Sequence, residues 1–194
     1  MCFGDALLAV VKHYGADLVF AQRTRDFTVQ LFRRLRAIHH LPSQYADWLE
    51  AAAMLNEIGA YINRAGRRRH TYYIIANSEL FGYTPVQRRI IAAIARYVGN
   101  SLPAEGDTVL QTIPRSDQLQ VPKAVALLRL ARALDQGRRG ALRELVVRVS
   151  NDGPVHLILA PAKSERLELE LWAVRRERNY FKSVFGRDLL AELR

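Results

Sequence analysis

Apolar residues recur at intervals of three and four over most of the first 140 residues, a spacing that predicts helices. The clearest case is a central helix whose apolar stripe runs as far as Gly59. The alanines of this stripe and Gly59 are small enough to let another helix approach closely. Predicted helices cover residues 5–14, 17–38, 43–59, 70–77, a segment that begins at Thr84, and residues 122–137.

The ends of two helices carry specific signals. Thr84 is followed by Pro85 and Gln87, which predicts a capping box with proline at the first helical position. Pro122 is predicted to open the last long helix and Gly137 to end it. Residues 99–120, rich in Gly, Ser, Pro, Asp and Gln, are therefore expected to form a long loop with one helical turn at most.

Two adjacent histidines, His39 and His40, stand at the end of the second long helix. Neighbouring residues of a helix point in different directions, so the two rings are not expected to share a metal ion. We expect a favourable interaction with the C-terminal end of that helix instead.

The periodicity changes at Leu142. Residues 145–149 and 155–159 are rich in Val, Leu and Ile and flank Asn151-Asp152-Gly153, which predicts a hairpin. Residues 167–185 are expected to form a helix, or a strand and then a helix, ended by Gly186, and Leu189-Leu190 to add an edge strand. The predicted fold is mainly α, with a helical domain over residues 1–139 and a small α+β domain over residues 140–194.

The composition is ordinary for a globular protein: 194 residues, 49% of them hydrophobic and 25% charged. No apolar run approaches the roughly 20 residues that cross a bilayer, and the first 11 residues are too short for a signal peptide. The single cysteine, Cys2, excludes an internal disulfide framework and is typical of a reducing compartment. A cytoplasmic protein without a membrane partner is expected.

The net charge of +10 is carried mainly by the helical part and almost entirely by arginine. A guanidinium group is a planar fork that binds two phosphate oxygens at once, which favours a polyanionic partner. A solvated, arginine-rich surface would have the same composition, and composition alone leaves both interpretations open.

Residues 52–83 follow the pattern A-A-M-L-x-E-I-G-x-x-I-N-x-x-G-x-x-R-H-x-x-Y-I-I-x-N-S-E-L-x-G-Y, and Ala95-Arg96-Tyr97 and residues 127–131 (LLRLA) come later. With these motifs the chain, from about residue 17 to about residue 189, resembles the C-terminal half of the exopolyphosphatase and guanosine pentaphosphate phosphatase family. The resemblance implies a helical domain related to the HD phosphohydrolases, followed by a small α+β domain. It also implies that the actin-like half that hydrolyses phosphoanhydrides is not part of this sequence.

The same resemblance implies a degenerate HD site. A metal-dependent HD phosphohydrolase needs imidazoles and carboxylates around its cations. The ligand positions correspond here to Phe20, to the pair Asn56-Glu57 and to Arg132 after Ala131, and Arg132 brings a positive charge to where the metal should lie. Glu57, His70 and Asp135 are the ligand-type residues that remain. We therefore expect no catalytic residue, no metal and no cofactor, with residual HD-type metal-dependent hydrolysis as a further alternative.

In the family this half is thought to bind polyphosphate and to build the homodimer, so the resemblance implies phosphate contacts in a basic surface loop before His70. A guanosine polyphosphate presents the same oxygens as polyphosphate. The candidate phosphate-binding residues are Arg64, Arg67, Arg68, Arg69, His70, Arg96, Arg129 and Arg132.

Two other functions remain open. The chain could be a dimerisation or docking module for an actin-like catalytic domain or subunit, an interpretation favoured by the apolar faces of the two long helices. A nucleic-acid-binding protein is the weakest alternative, because the sequence contains neither a recognition helix nor a platform of interleaved aromatic residues.

Overall fold

The computed structural model describes residues 3–80, 82–99, 101–104, 106–150 and 153–194, so Cys2 and the predicted turn residues Asn151 and Asp152 lie outside it. The fold is mainly α with a small three-stranded sheet. Its elements, in chain order, are α1 Phe3–His13, α2 Leu18–Arg34, α3 Arg36–His39, α4 Tyr45–Leu55, a 3-10 helix Ile58–Tyr61, α5 Arg67–Asn77, α6 Pro85–Arg96, α7 Thr108–Gln111, α8 Arg115–Ala133, β1 Leu142–Val149, β2 Val155–Pro161, α9 Glu168–Arg176, α10 Arg178–Phe185 and β3 Leu189–Leu193. Within the described ranges, no helix is both long and apolar enough to cross a bilayer.

Helix α4 is the centre of the helical part and packs against α1, α2, α6 and α8. Its predicted apolar stripe is buried throughout. Just beyond it, Gly59 lies under the first turn of α5, where an added Cβ atom would come within 2.0 Å of the Arg67 carbonyl oxygen. The expected role of this glycine in close helix approach is confirmed.

The first half of the chain departs from the predicted helix bounds at two places. The predicted helix over residues 17–38 is interrupted at Leu35, where ψ is 15°, and continues as the short helix α3. This break allows both Leu35 and His39 to be buried. The helix predicted over residues 70–77 begins earlier, at Arg67, so the three consecutive arginines form its first turn rather than a loop.

The last long helix also begins earlier than predicted. Pro122 lies inside α8, which starts at Arg115 and ends at Ala133, before Gly137. The predicted loop over residues 99–120 therefore contains α7 and the first turns of α8. Proline has no N–H group, so the helix lacks one backbone hydrogen bond at this position. Burial of Val121, Ala124 and Val125 on either side of the proline offsets this loss. By contrast, the capping box at Thr84 is confirmed, with both reciprocal hydrogen bonds present.

The C-terminal part is a sheet covered by two helices. Strands β1 and β2 form the predicted antiparallel hairpin, and β3 adds the predicted edge strand, parallel to β2. Helices α9 and α10 both contact α8, and Gln30 Nε2 of α2 donates a hydrogen bond to the Leu145 carbonyl at 3.0 Å. One continuous hydrophobic core therefore joins the sheet to the helices.

His39 is buried at the end of α3 as a neutral ring. Its Nε2 donates to the Phe32 carbonyl at 2.8 Å, and its Nδ1 accepts the Leu41 N–H at 2.8 Å. Burial lowers the pKa of His39, and the hydrogen bond to the Phe32 carbonyl opposes this effect, whereas the positive charges of His40, Lys123 and Arg36 act in the same direction as burial. The expected interaction with the helix end is therefore made by a neutral ring. If Nδ1 were protonated, it could no longer accept the hydrogen bond from the Leu41 N–H.

This arrangement predicts a pH dependence of stability. A histidine whose pKa is lowered on folding stabilises the protein above its unfolded pKa of about 6.5, and this contribution is lost as the pH falls through the folded value. We expect the free energy of unfolding, measured by urea denaturation, to decrease between pH 7 and pH 5. The decrease should largely persist in His40→Gln, because burial and not the His40 charge is the main cause of the lowered pKa, and it should become smaller in His39→Gln. If the free energy of unfolding decreased equally with pH in both variants, this role of His39 would be contradicted.

Candidate functional site

The four positions inferred to be a degenerate HD site lie together in the structure. Arg132 of α8 donates through Nη1 to Asn56 Oδ1 and through Nη2 to Glu57 Oε1, the second bond at 3.0 Å. Its guanidinium carbon is 5.2 Å from the centre of the Phe20 ring. Helix α2 and the C-terminal end of α4 thus converge on one arginine side chain of α8.

A second arginine completes this cluster. Arg138 Nη2 lies 2.6 Å from each carboxylate oxygen of Glu57, and its guanidinium carbon is 4.1 Å from the Phe20 ring centre. Burial by itself would raise the pKa of Glu57, but the two guanidinium groups hold that pKa below its usual value. Burial lowers the pKa of Arg132, and the adjacent Glu57 opposes this effect. Arg138 carries no local sequence signal, because it lies after the helix in a left-handed backbone conformation.

The residues at this position do not fit a divalent metal ion. The Glu57 carboxylate already has two cationic partners, and a third cation would be repelled. Asp135 accepts hydrogen bonds from Arg23 Nε at 2.7 Å and from the Gly140 N–H at 2.9 Å. Within the described ranges, no three His, Cys, Asp or Glu residues are arranged to hold a metal.

A basic cavity of about 520 Å³ opens at the start of α5. Among the described residues, its arginines have no carboxylate partner within 4 Å, so five of the eight sequence-predicted phosphate contacts meet here with unpaired charges. The cavity is lined by Arg64, Ala65, Gly66, Arg67, Arg68, Arg69, Arg96 and Ser101.

The backbone adds to the positive potential of the basic cavity. Arg67, Arg68 and Arg69 are the first three residues of α5, so their N–H groups have no acceptor within the helix. Gly66 precedes them as the N-cap residue and offers no side-chain acceptor. The positive end of the helix dipole therefore faces the same space as the guanidinium groups, an arrangement that attracts anions.

Two of these arginines pack closely against neighbouring residues. The Arg68 guanidinium lies directly against Gly99, where an added Cβ atom would come within 1.7 Å of Arg68 Cζ. Burial and the neighbouring Arg67 and Arg129 charges lower the pKa of Arg68. The Nε atom of Arg96 is buried and has no hydrogen-bond partner among the described residues, and the guanidinium carbon of Arg96 lies 6.0 Å from the Tyr72 ring centre.

The other three predicted contacts lie outside the basic cavity. Arg129 forms a two-pronged ion pair with Glu177, with nitrogen–oxygen distances of 2.6 and 3.0 Å, and donates to the Tyr97 and Gly99 carbonyls. Arg132 belongs to the cluster with Glu57 described above. The His70 ring packs over Gly66, where an added Cβ would be 2.7 Å from its Nε2.

A smaller cavity of about 170 Å³ lies beside the basic cavity, where the helical part meets α9. Arg67 and Arg68 line both spaces. We call it the junction cavity; its lining includes Arg67, Arg68, Arg129, Arg132, Gln136, Trp172, Arg176 and Glu177. Trp172 and Arg176 were not expected from the sequence, where their spacing on α9 is typical of any amphipathic surface helix.

Comparison with known proteins identifies relatives of this chain. The family model described as Ppx/GppA phosphatase, domain III, matches residues 6–178. A guanosine-5'-triphosphate,3'-diphosphate pyrophosphatase of Aeromonas hydrophila subsp. hydrophila is 33% identical over 87 residues, which are 44% of this chain and 18% of the relative. The protein of the same name from Aeromonas salmonicida is 27% identical over 125 residues, 64% of this chain and 24% of the relative. The chain thus spans about a quarter or less of the length of these curated relatives.

Proposed function

Because the chain belongs to the Ppx/GppA phosphatase family through that family's domain III, we propose that it is a phosphate-binding module that holds polyphosphate or a guanosine polyphosphate in the basic cavity. The observation that carries this proposal is the set of unpaired arginines at the start of α5. The names of the two Aeromonas relatives, which describe a pyrophosphatase acting on a guanosine polyphosphate, support the choice of ligand class.

The free protein has an electrostatic reason to bind an anion here. Positive side chains are unfavourable in the first turn of a helix, and three consecutive arginines occupy that turn of α5. No carboxylate of the described residues forms a direct ion pair with them, and the charge of Glu57 offsets that of Arg68 only at longer range. A chain of phosphates would neutralise the guanidinium groups and accept hydrogen bonds from the free N–H groups at the same time.

As part of the same proposal, the cluster around Arg132 replaces a metal site and has a structural role. The guanidinium group supplies the positive charge that a cation would otherwise provide to Glu57. A residual HD-type metal-dependent hydrolase is therefore disfavoured, and hydrolysis would depend on chemistry outside this site. We retain the division into a helical domain over residues 1–139 and an α+β domain over residues 140–194, which share one core.

The basic cavity can be tested with paired alanine variants. Arg67→Ala combined with Arg68→Ala should lower the affinity for inorganic tripolyphosphate roughly thirtyfold, at about 1 kcal/mol for each guanidinium group at a solvated site. The matched control is Arg115→Ala combined with Arg143→Ala, which removes the same charge and also takes one arginine from the first turn of a helix. Isothermal titration at two salt concentrations measures the effect, and wild-type binding should weaken as salt increases.

Equal losses in the two double variants would show that net charge alone causes binding, and an unchanged affinity in Arg67→Ala with Arg68→Ala would remove the site assignment. Short single-stranded RNA serves as a competitor. A general nucleic-acid-binding protein would prefer the RNA to tripolyphosphate.

A dimerisation or docking module is the second candidate function. The apolar faces of the long helices α2 and α8 are buried within this chain's own core, so they do not support it. Exposed apolar side chains outside those buried faces do, notably Leu119 near the start of α8 and Tyr61, which are 72% and 67% exposed. A homodimer or a complex with an actin-like domain would cover such residues. Light scattering of the wild type and of Leu119→Ser with Tyr61→Ser distinguishes a dimer that depends on them from a monomer.

A further inference from the structure

The junction cavity contains an aromatic side chain that the phosphate-binding proposal does not use. Trp172 on α9 is 52% exposed, whereas the other tryptophan, Trp48, is only 6% exposed in the core. The guanidinium carbon of Arg176 lies 4.8 Å from the centre of the Trp172 ring. Arg176 therefore lies over one face of the Trp172 ring, about half of the tryptophan side chain stays exposed, and both residues line a defined cavity.

The lining of the junction cavity is polar rather than apolar. It includes the Arg129–Glu177 ion pair and the amide of the exposed residue Gln136. An apolar side chain of a protein partner would leave these groups without hydrogen bonds, at a free-energy cost. A planar ring with hydrogen-bonding groups on its edge can stack on Trp172 and still form hydrogen bonds with these polar side chains.

The junction cavity also continues the basic cavity, because Arg67 and Arg68 line both. A phosphate chain held by these two arginines would place whatever it is attached to next to Trp172. With about 170 Å³, the junction cavity has room for a single small group rather than a folded segment.

We propose that Trp172 and Arg176 form a base-stacking subsite, so that the chain binds a nucleoside polyphosphate with its base in the junction cavity and its phosphates in the basic cavity. This inference rests on the proposed phosphate-binding function and goes beyond it by assigning the ring end of the ligand. An inorganic phosphate chain has no π-face and gains nothing from Trp172, whereas every nucleobase does. The subsite therefore makes the module prefer nucleotides to inorganic chains of equal phosphate number.

The intrinsic fluorescence of Trp172 provides a direct test. Guanosine triphosphate and adenosine triphosphate should both quench the exposed Trp172 emission, while inorganic tripolyphosphate, the matched phosphate-only probe, should not. The buried Trp48 provides the emission that remains unchanged. Trp172→Leu should lower the affinity for guanosine triphosphate roughly tenfold, in the range measured for a single base-stacking contact, and leave the affinity for tripolyphosphate unchanged. Trp172→Phe, which keeps an aromatic face, should retain most of the nucleotide affinity.

The outcomes separate this inference from the proposed function. If the wild type binds neither tripolyphosphate nor nucleotide, the phosphate-binding function fails and the subsite fails with it. If tripolyphosphate binds and depends on Arg67, but guanosine triphosphate binds no tighter and Trp172→Leu changes nothing, only the subsite is overturned. A similar loss for both ligands in Trp172→Leu would also overturn it, since the residue would then act on the phosphate half. Quenching by single-stranded RNA without quenching by either nucleotide would assign Trp172 to nucleic acid instead.

Discussion

Replacing Glu57 by glutamine is expected to lower the free energy of unfolding by about 3 kcal/mol, the lower end of the range for removing one partner from a buried ion pair, because this pair is largely and not fully buried. The Glu57 side chain is only 15% exposed and has two cationic partners, Arg132 at 3.0 Å and Arg138 at 2.6 Å. Glutamine keeps the shape and one oxygen acceptor but leaves the Arg132 guanidinium, which is largely buried, without a counter-charge. Urea denaturation followed by circular dichroism measures the loss.

The control for this experiment is Glu144→Gln on β1, whose ion pair with Arg194 spans 3.5 Å at the surface. Surface ion pairs contribute between zero and about 1 kcal/mol, so this control should remain close to the wild type. Adding Arg132→Met to Glu57→Gln should recover part of the stability, because it removes the uncompensated charge. If Glu57→Gln were as stable as Glu144→Gln, the cluster around Arg132 would not hold the fold together.

The effect of Glu57→Gln should also depend on pH. The pKa of Glu57 is lowered in the folded protein despite burial, so its stabilisation is fully present above the unfolded value of about 4.3. It is lost as the pH falls through the lower folded value, where the carboxylate becomes protonated. The difference in stability between wild type and variant should therefore be constant from pH 7 to pH 5 and decrease below about pH 4.

The second large effect is expected from Gly59→Ala. An alanine Cβ atom there would lie 2.0 Å from the Arg67 carbonyl oxygen and 2.3 Å from the Thr71 backbone nitrogen. Both are backbone atoms of α5, so no side-chain rotation can relieve the overlap. We expect a loss of about 3 kcal/mol or more, at the upper end of the values for overpacked cores.

Gly59→Ala should also weaken tripolyphosphate binding, because the helix turn that it displaces carries Arg67, Arg68 and Arg69. Gly4→Ala in α1 is the matched control, since an added Cβ atom there has no neighbour within 4 Å. That control should be neutral or more stable by about 0.5–1 kcal/mol, because alanine favours a helix more than glycine does. A Gly59→Ala protein with the urea midpoint of the wild type would contradict the close approach of α5.

Much of the local structure could be predicted from the sequence. The capping box at Thr84, the hairpin of β1 and β2 and the apolar stripe of α4 each depend on residues close together in the chain, so periodicity and turn chemistry were sufficient. The errors fell where local signals competed with burial. Pro122 is a typical first helical residue, yet the buried residues around it extend α8 by two turns on its N-terminal side.

The candidate site, too, could be predicted from the sequence only in part. The sequence by itself determined the consecutive arginines and, through the family resemblance, the four positions of the degenerate HD site, because these are properties of short segments. Only the tertiary structure decided that Arg132 and Arg138 meet Glu57, across 75 and 81 residues of chain. It also decided that Trp172 and Arg176 line the same cavity as Arg67. Contacts over such separations depend on how whole helices pack, and no local pattern of residues records that packing.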